Sequence, residues 1–308
     1  MLRKLLILPI LIFAQVICGS ANEKDTKLIE NRKKPILHII TSGRTGSVVL
    51  MRAIEAQGDY SQSQGGERIE IFNEPGAPAQ ALITVPELYD EWFLPTSQND
   101  NKIIAKGIVN ISKKRAVCIK DNGDPAKLFL EQNPEFVKRD NVNFVFLIRE
   151  PGDVISSFYR AHGKFEADQI QWINLKSVME IHELVSKHTD NIKIVFTHNL
   201  IARPSQTMQE IMGFGGLPFS EAAMKWESHG EKFDGKSWND PKHEDKIKAM
   251  HKDAACSTCF KQMHAYEKNA DGTPTFSEAG PQYRGTMHAA YKQFLVAYKY
   301  FNEQAARQ

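Results

Sequence analysis

Apolar positions in this chain fall in short, nearly unbroken runs, with stretches of helical spacing between them. Ile36-Leu37-His38-Ile39-Ile40, opened by Pro35, is the first such run. Runs of this kind predict strands buried on both faces of a parallel sheet. Asn143–Ile148 and Ile192–Phe196 predict two more, and Ile103–Ala105 and Ala116–Ile119 two shorter ones. Leu50 and Ile54, four apart, predict a helix over Val48–Gln57 that Gly58 ends, followed by a polar loop at Ser61–Glu67. Val154–His162 closed by Gly163, Ile170–Lys187, Pro204–Met212, Phe219–Trp226 and Tyr283–Gln304 predict further helices. Strands alternating with helices predict one α/β domain over residues 35–308, a three-layer sandwich with a mostly parallel central sheet.

The N-terminus breaks this pattern. Arg3 and Lys4 precede the apolar run Leu5–Cys18, and the small residues Gly19-Ser20-Ala21 precede the polar Asn22-Glu23-Lys24-Asp25. A basic start, a short apolar run and small residues predict a signal peptide over residues 1–21, hence export. Residues 22–34 then read as a flexible lead-in. The run of 14 residues is short for a membrane span, and no spanning segment is expected in the mature chain. The 308 residues carry 39 Lys+Arg against 37 Asp+Glu. Loss of Arg3 and Lys4 leaves the two signs balanced, so no positive field points to nucleic acid. Cleavage also removes Cys18 and leaves Cys118, Cys256 and Cys259. Cys256-Ser-Thr-Cys259 has spacing for a tight disulfide in an oxidising compartment, with two free thiols as the alternative. His251 and His264 flank it, but the spacing is not that of a standard zinc site, and no metal is expected.

Two segments carry candidate chemistry. Thr41-Ser42-Gly43-Arg44-Thr45-Gly46-Ser47 joins the first strand to a helix. Backbone amides of such a turn favour phosphate or sulfate, Arg44 adds a cation and Ser47 a hydroxyl. The nucleoside-triphosphatase sequence G-x-x-x-x-G-K-S/T is absent, which disfavours ATP or GTP hydrolysis. About 100 residues later, Arg149 ends a buried strand and Ser157 lies early in the next helix, where both reach one anion. Asp153 is placed to cap that helix. Two such turns suit a ligand with two separated anionic groups.

Gly43-Arg44-Thr45-Gly46-Ser47 resembles the P-R-S-G-S/T loop of sulfotransferases that use 3′-phosphoadenosine 5′-phosphosulfate (PAPS). Arg149-Glu150-Pro151-Gly152-Asp153 with Ser157 resembles their R-D/E-P-x-D segment and the serine eight residues after its arginine. Leu50–Ala56, Asn73-Glu74-Pro75, Ile119-Lys120-Asp121, Gly216–Ala222, Met224-Lys225-Trp226 and Ser257–Phe260 are similar to further segments of a bacterial-type branch, in the same order. Gly43 stands where proline is usual, which loosens the loop; Gly152 replaces a common basic residue, and Cys259 a glycine.

The resemblance implies a P-loop-NTPase-like fold and sulfuryl transfer from PAPS to a hydroxyl or amine on a small-molecule, glycan or peptide acceptor. It implies that Gly43, Arg44, Thr45, Gly46 and Ser47 hold the 5′-phosphosulfate, and Arg149 and Ser157 the 3′-phosphate. Glu74 is the candidate base, held extended by Pro75 at a strand end. Lys120, or Lys106, is a candidate for stabilising the leaving oxygen, and His38 is a poorer base inside the first strand. As far as the resemblance implies, PAPS is made in the cytosol, which sets export against donor supply. The alternative is a non-catalytic module that holds a nucleotide or a sulfated or phosphorylated ligand at the same two sites. Nothing in the sequence speaks to oligomeric state.

Overall fold

The computed structural model describes residues 33–74, 100–226, 257–261 and 266–308. The chain divides into Met1–Lys33 and Lys34–Gln308. The expected leader, nearly all of the lead-in, Ser228–Lys252, His251, Cys256 and His264 lie outside the described residues.

Strand β1 (Ile36–Thr41) leads through the turn Ser42-Gly43-Arg44-Thr45-Gly46 to α1 (Ser47–Ser63), and β2 (Glu70–Asn73) follows. Next come α2 (Asp100–Ile111), β3 (Val117–Asn122), α3 (Gly123–Gln132), α4 (Pro134–Val137), β4 (Val142–Ile148) and α5 (Pro151–His162). A 3-10 segment at Ala167–Ile173 precedes α6 (Leu175–Ser186), β5 (Ile192–Phe196), α7 (Thr197–Ala202) and α8 (Pro204–Phe214). A second 3-10 segment, Glu221–Met224, and α9 (Pro281–Ala305) complete the elements.

The five strands form one sheet in the order β2-β3-β1-β4-β5, and every pairing is parallel. Parallel neighbours need crossover connections, and these supply the covering layers. One face packs Leu37, Ile39, Val145 and Leu147 against Leu50 and Ile54 of α1 and Met208 and Ile211 of α8. The other packs Ile36, Ile40, Phe144 and Phe146 against α2, α3, α5, α6 and α9. The protein is thus a three-layer α/β sandwich with a parallel central sheet, as expected. β1 lies at the centre, and its connection leaves over the α1 face toward β2. The connection from its neighbour β4 leaves over the opposite face toward β5. Adjacent strands whose connections diverge leave a crevice at their C-terminal ends, where open α/β sheets bind ligands.

Four expectations change. Ile103–Ala105 lies in α2, not a strand: Ile104, Ala105 and Ile108 are buried at helical spacing, which three apolar residues alone do not reveal. Gly58 does not end α1, which runs to Ser63. A Cβ there would lie 3.0 Å from the Ile69 nitrogen, so this glycine admits the chain entering β2. The single helix expected over Ile170–Lys187 is two elements, because the Asn174 side chain accepts from the Lys176 N–H and starts α6 afresh. Of Phe219–Trp226, only Glu221–Met224 is helical, as a 3-10 turn.

Candidate anion-binding site

β1 and β4 bring the two predicted segments together. Thr41 pairs with Asn122 on one side and Leu147 on the other. Its hydroxyl donates to the Leu147 carbonyl at 3.0 Å and meets the Thr45 hydroxyl, so the loop folds back on its own strand. Thr197, at the start of α7, donates to the Thr45 carbonyl at 2.8 Å. The turn needs two left-handed residues, Arg44 at φ 64° and Gly46 at φ 87°. Glycine supplies the second without steric cost. Gly46 caps α1, which has no side-chain cap and no acidic residue in its first turn. A helix start left in that state presents amides and a positive dipole end to an anion.

Gly43 does not loosen this loop. A Cβ at Gly43 would lie 2.5 Å from the Trp172 carbonyl oxygen, so the missing side chain lets the Ala167–Ile173 segment press onto the loop.

Across the crevice, Arg149 is 5% exposed and donates from Nη1 to the Arg44 carbonyl at 2.9 Å. Arg44 in turn donates from Nε to the Ser157 hydroxyl at 3.3 Å. Arg44, Arg149 and Ser157, from two segments far apart in sequence, therefore converge on one spot. Burial pushes the Arg149 guanidinium below its ordinary range, with Asp153, 3.8 Å from its Nε, pulling the other way. An arginine remains charged through such a shift.

The cap of α5 is Glu150, not Asp153: the Glu150 carboxylate accepts from the Asp153 N–H at 3.1 Å. Burial raises the Glu150 carboxyl, and the Tyr266 hydroxyl donates to it. Burial first, and the Glu150 charge second, push the Tyr266 hydroxyl upward. The Tyr266 ring covers Gly152, where a Cβ would meet its Cζ at 2.5 Å. The Lys268 ammonium lies over that ring, 5.1 Å from its centroid.

Glu74 follows β2, but it is left-handed at φ 57° rather than extended. Its carboxylate holds the buried Lys120 ammonium and accepts from Asn122 Nδ2 at 2.7 Å. These bonds to the end of β3 turn the residue inward against the preference set by Pro75. Two strand spacings, about 10 Å, separate β2 from β1, so β3 lies between the strand that Glu74 follows and the strand that leads into the loop. Lys106 is exposed in the middle of α2. His38 is fully buried among Phe129, Phe136 and Phe144, with Nε2 2.9 Å from Asp121, and belongs to the core.

Three of the resembling segments gather around α1. Arg52 donates to the Ser257 carbonyl at 3.3 Å, Gln57 exchanges bonds with Ser220, and Trp226 meets Phe260 edge-on at 5.5 Å. Cys259 is a free, half-buried thiol, one of the two states the spacing left open, and Cys256 lies outside the described residues. Cys118 is a free thiol in the core. Thr197, Asn122, Glu150 and Tyr266 escaped the sequence reading. Asn122, two residues past Lys120 at a strand end, was the one within reach of it.

No family model matches the chain, and no curated protein matches it. Among solved structures it is similar to the sulfotransferase domain of the Synechococcus PCC 7002 olefin synthase, with 20% identity and a TM-score of 0.44, over 71% of this chain and 88% of that one. It is similar to the mouse sulfotransferase SULT7A1, solved with PAP, with 12% identity and a TM-score of 0.40, over 62% of each chain. A gluconokinase from Sinorhizobium meliloti 1021 matches with 14% identity and a TM-score of 0.30, over 60% of this chain and 92% of that one.

Proposed function

We propose that the protein is a sulfotransferase that takes PAPS as donor. The observation that carries this reading is the convergence of Arg44, Arg149 and Ser157 beside an uncapped helix start, at the divergence of β1 and β4. The residues fit such a donor. The amides of Gly43–Ser47 and the N-terminus of α1 suit its phosphosulfate, and among the described residues only the Thr197 methyl, 3.7 Å away, approaches the Cβ position of Gly46. Arg149 and Ser157 offer a charged donor and a hydroxyl for its 3′-phosphate.

Transfer forms a bond from the acceptor oxygen or nitrogen to sulfur and breaks the sulfur–oxygen bond to the 5′-phosphate. Positioning and charge stabilisation dominate such a step, as in phosphoryl transfer. Arg44 and the loop amides would balance the charge that builds on the departing phosphate. Lys120 would do the same at the bridging oxygen. Glu74 would take the acceptor's proton, through the carboxylate that Lys120 and Asn122 hold in place.

That same ion pair favours a second reading, in which the site binds its ligand without transfer because Glu74 and Lys120 satisfy each other. Turnover of PAPS by wild-type protein and by Glu74→Gln separates the two. The transferase reading expects a fall of at least about a hundredfold in Glu74→Gln, with PAP affinity little changed. Equal rates would remove Glu74 from the chemistry. Export belongs to the same proposal: N-terminal sequencing of native protein should begin near Ala21 or Asn22, and Met1 there would contradict it.

A further inference from the structure

We propose that the Gln308 side chain closes the free edge of the sheet at β5 and so keeps a second copy of this chain from pairing there. β5 is the outermost strand on one side of the sheet. It pairs in parallel with β4, Phe144 opposite Ile192 and Phe146 opposite Ile194. The Phe144 N–H donates to the Asn191 carbonyl at 2.9 Å. In a parallel ladder the bonding groups alternate in direction along the strand. Asn191 and Lys193 therefore turn theirs toward β4, and Ile192 and Ile194 turn theirs outward. Among the described residues no other strand pairs with that outer side.

Gln308 takes these outward groups. The Ile194 N–H donates to its Oε1 at 3.0 Å, and its Nε2 donates to the Ile192 carbonyl at 3.2 Å. One planar amide thus makes the two bonds that the N–H and C=O of a neighbouring strand residue would make opposite Lys193. The Ile192 N–H is satisfied separately, by the Asp190 carbonyl at 2.7 Å. α9 carries Gln308 to this place. Phe301 of that helix is fully buried, 6.0 Å from the Phe146 ring of β4, and Tyr298 meets Phe196 of β5 edge-on at 5.8 Å. The backbone then runs on in tight turns, the Ala306 N–H donating to Asn302 at 3.1 Å and the Gln308 N–H to Ala305 at 3.3 Å.

Other protection is thin. Free edges recruit further strands, and proteins blunt them with proline, charge, bulges or covering segments. β5 holds no proline, and its one charge, Lys193, lies 3.7 Å from Glu210 of α8. The occupant that fits is the same strand of a second copy. Two β5 edges set antiparallel about a two-fold axis place Ile194 opposite Ile194, where each N–H donates to the other's carbonyl. Ile194 and Phe196 face one core and Val195 the other, so the joined sheets continue both layers. That pairing needs the N–H that Gln308 already holds, so the copy and the Gln308 amide exclude each other.

Amide exchange by NMR and light scattering on Gln308→Ala, in the full chain, test this. Gln308 is exposed, and far-UV circular dichroism of each variant should match wild type. In dilute solution the Ile194 amide should exchange at least about tenfold faster than in wild type. As concentration rises the variant should dimerise and the Ile194 amide regain protection, while wild type stays monomeric. Gln308→Asn, one methylene too short to reach both groups, should behave as Gln308→Ala. Gln308→Glu, which keeps only the acceptor, should fall between them and wild type. Unchanged exchange at Ile194 in Gln308→Ala, an opened edge in a variant that stays monomeric, a dimer that leaves Ile194 open to exchange, or a wild type that dimerises as readily would overturn it.

Discussion

The two sides of the crevice are built on opposite plans. On the β1 side, α1 begins without a side-chain cap, and its first turn carries no acid. On the β4 side, α5 begins with the Glu150 carboxylate on its amides and Asp153 in its first turn. The first side offers an anion backbone groups and a dipole end. The second has already filled its helix end and offers side chains, the Arg149 guanidinium and the Ser157 hydroxyl. The lesson is that two turns with similar sequence logic bind differently. Backbone binding tolerates any anion of suitable size, while the guanidinium and hydroxyl recognise one placed group.

The variant that breaks this comparison most is Arg149→Ala. It should cost about 2–3 kcal/mol of PAP binding, as expected for a lost charged hydrogen bond. AMP, which lacks the 3′-phosphate, should bind the variant and the wild type alike in calorimetry.

The two glycines sharpen it further. Gly43→Ala drives a Cβ to 2.5 Å from the Trp172 carbonyl oxygen, so the Ala167–Ile173 segment or the loop must move. The expected loss is about 1–3 kcal/mol in denaturant unfolding, with weakened PAP binding. Gly152→Ala meets the Tyr266 ring, a side chain that can turn aside, and should cost less. Gly213→Ala in α8, with nothing within 4 Å of its Cβ position, serves as the clash-free control and should raise stability by about 0.4–1 kcal/mol.

The smallest effect is a pH dependence at the capped end. Burial holds the Glu150 carboxyl above its ordinary range in the folded chain. A raised carboxyl favours folding fully below the unfolded value, and that contribution is lost as pH rises through the folded value. Among the described residues, Arg149, Asp153, Tyr266, Lys268, Tyr291 and Tyr298 are charged or titratable groups around it. As pH falls toward the carboxylate range, wild-type melting temperature should gain on Glu150→Gln, and PAP affinity should tighten in the wild type more than in the variant.

What the sequence made legible follows from range. β1, β3, β4 and β5 were readable because strands buried on both faces need unbroken apolar residues, and the loops that end β1 and β4 carry their own glycines and arginines. α2 was misread because Ile103–Ala105 is too short to show a period. Glu74 was expected extended at a strand end; it does follow β2, but its left-handed backbone goes with bonds to Lys120 and Asn122, partners 46 and 48 residues away. Glu150 and Tyr266 meet across more than a hundred residues, and no local pattern announces such a contact. Gly43 and Gly152 read as departures from a family pattern, yet each makes room for a distant segment of this chain.

The central claim is that one ligand bridges both sides of the crevice, with its 3′-phosphate on the side-chain half. Calorimetric titration of wild-type protein with PAP, AMP and ATP tests it most directly. The account predicts that PAP binds at least tenfold more tightly than AMP, with ATP no better than AMP. Equal affinity for PAP and AMP would contradict it.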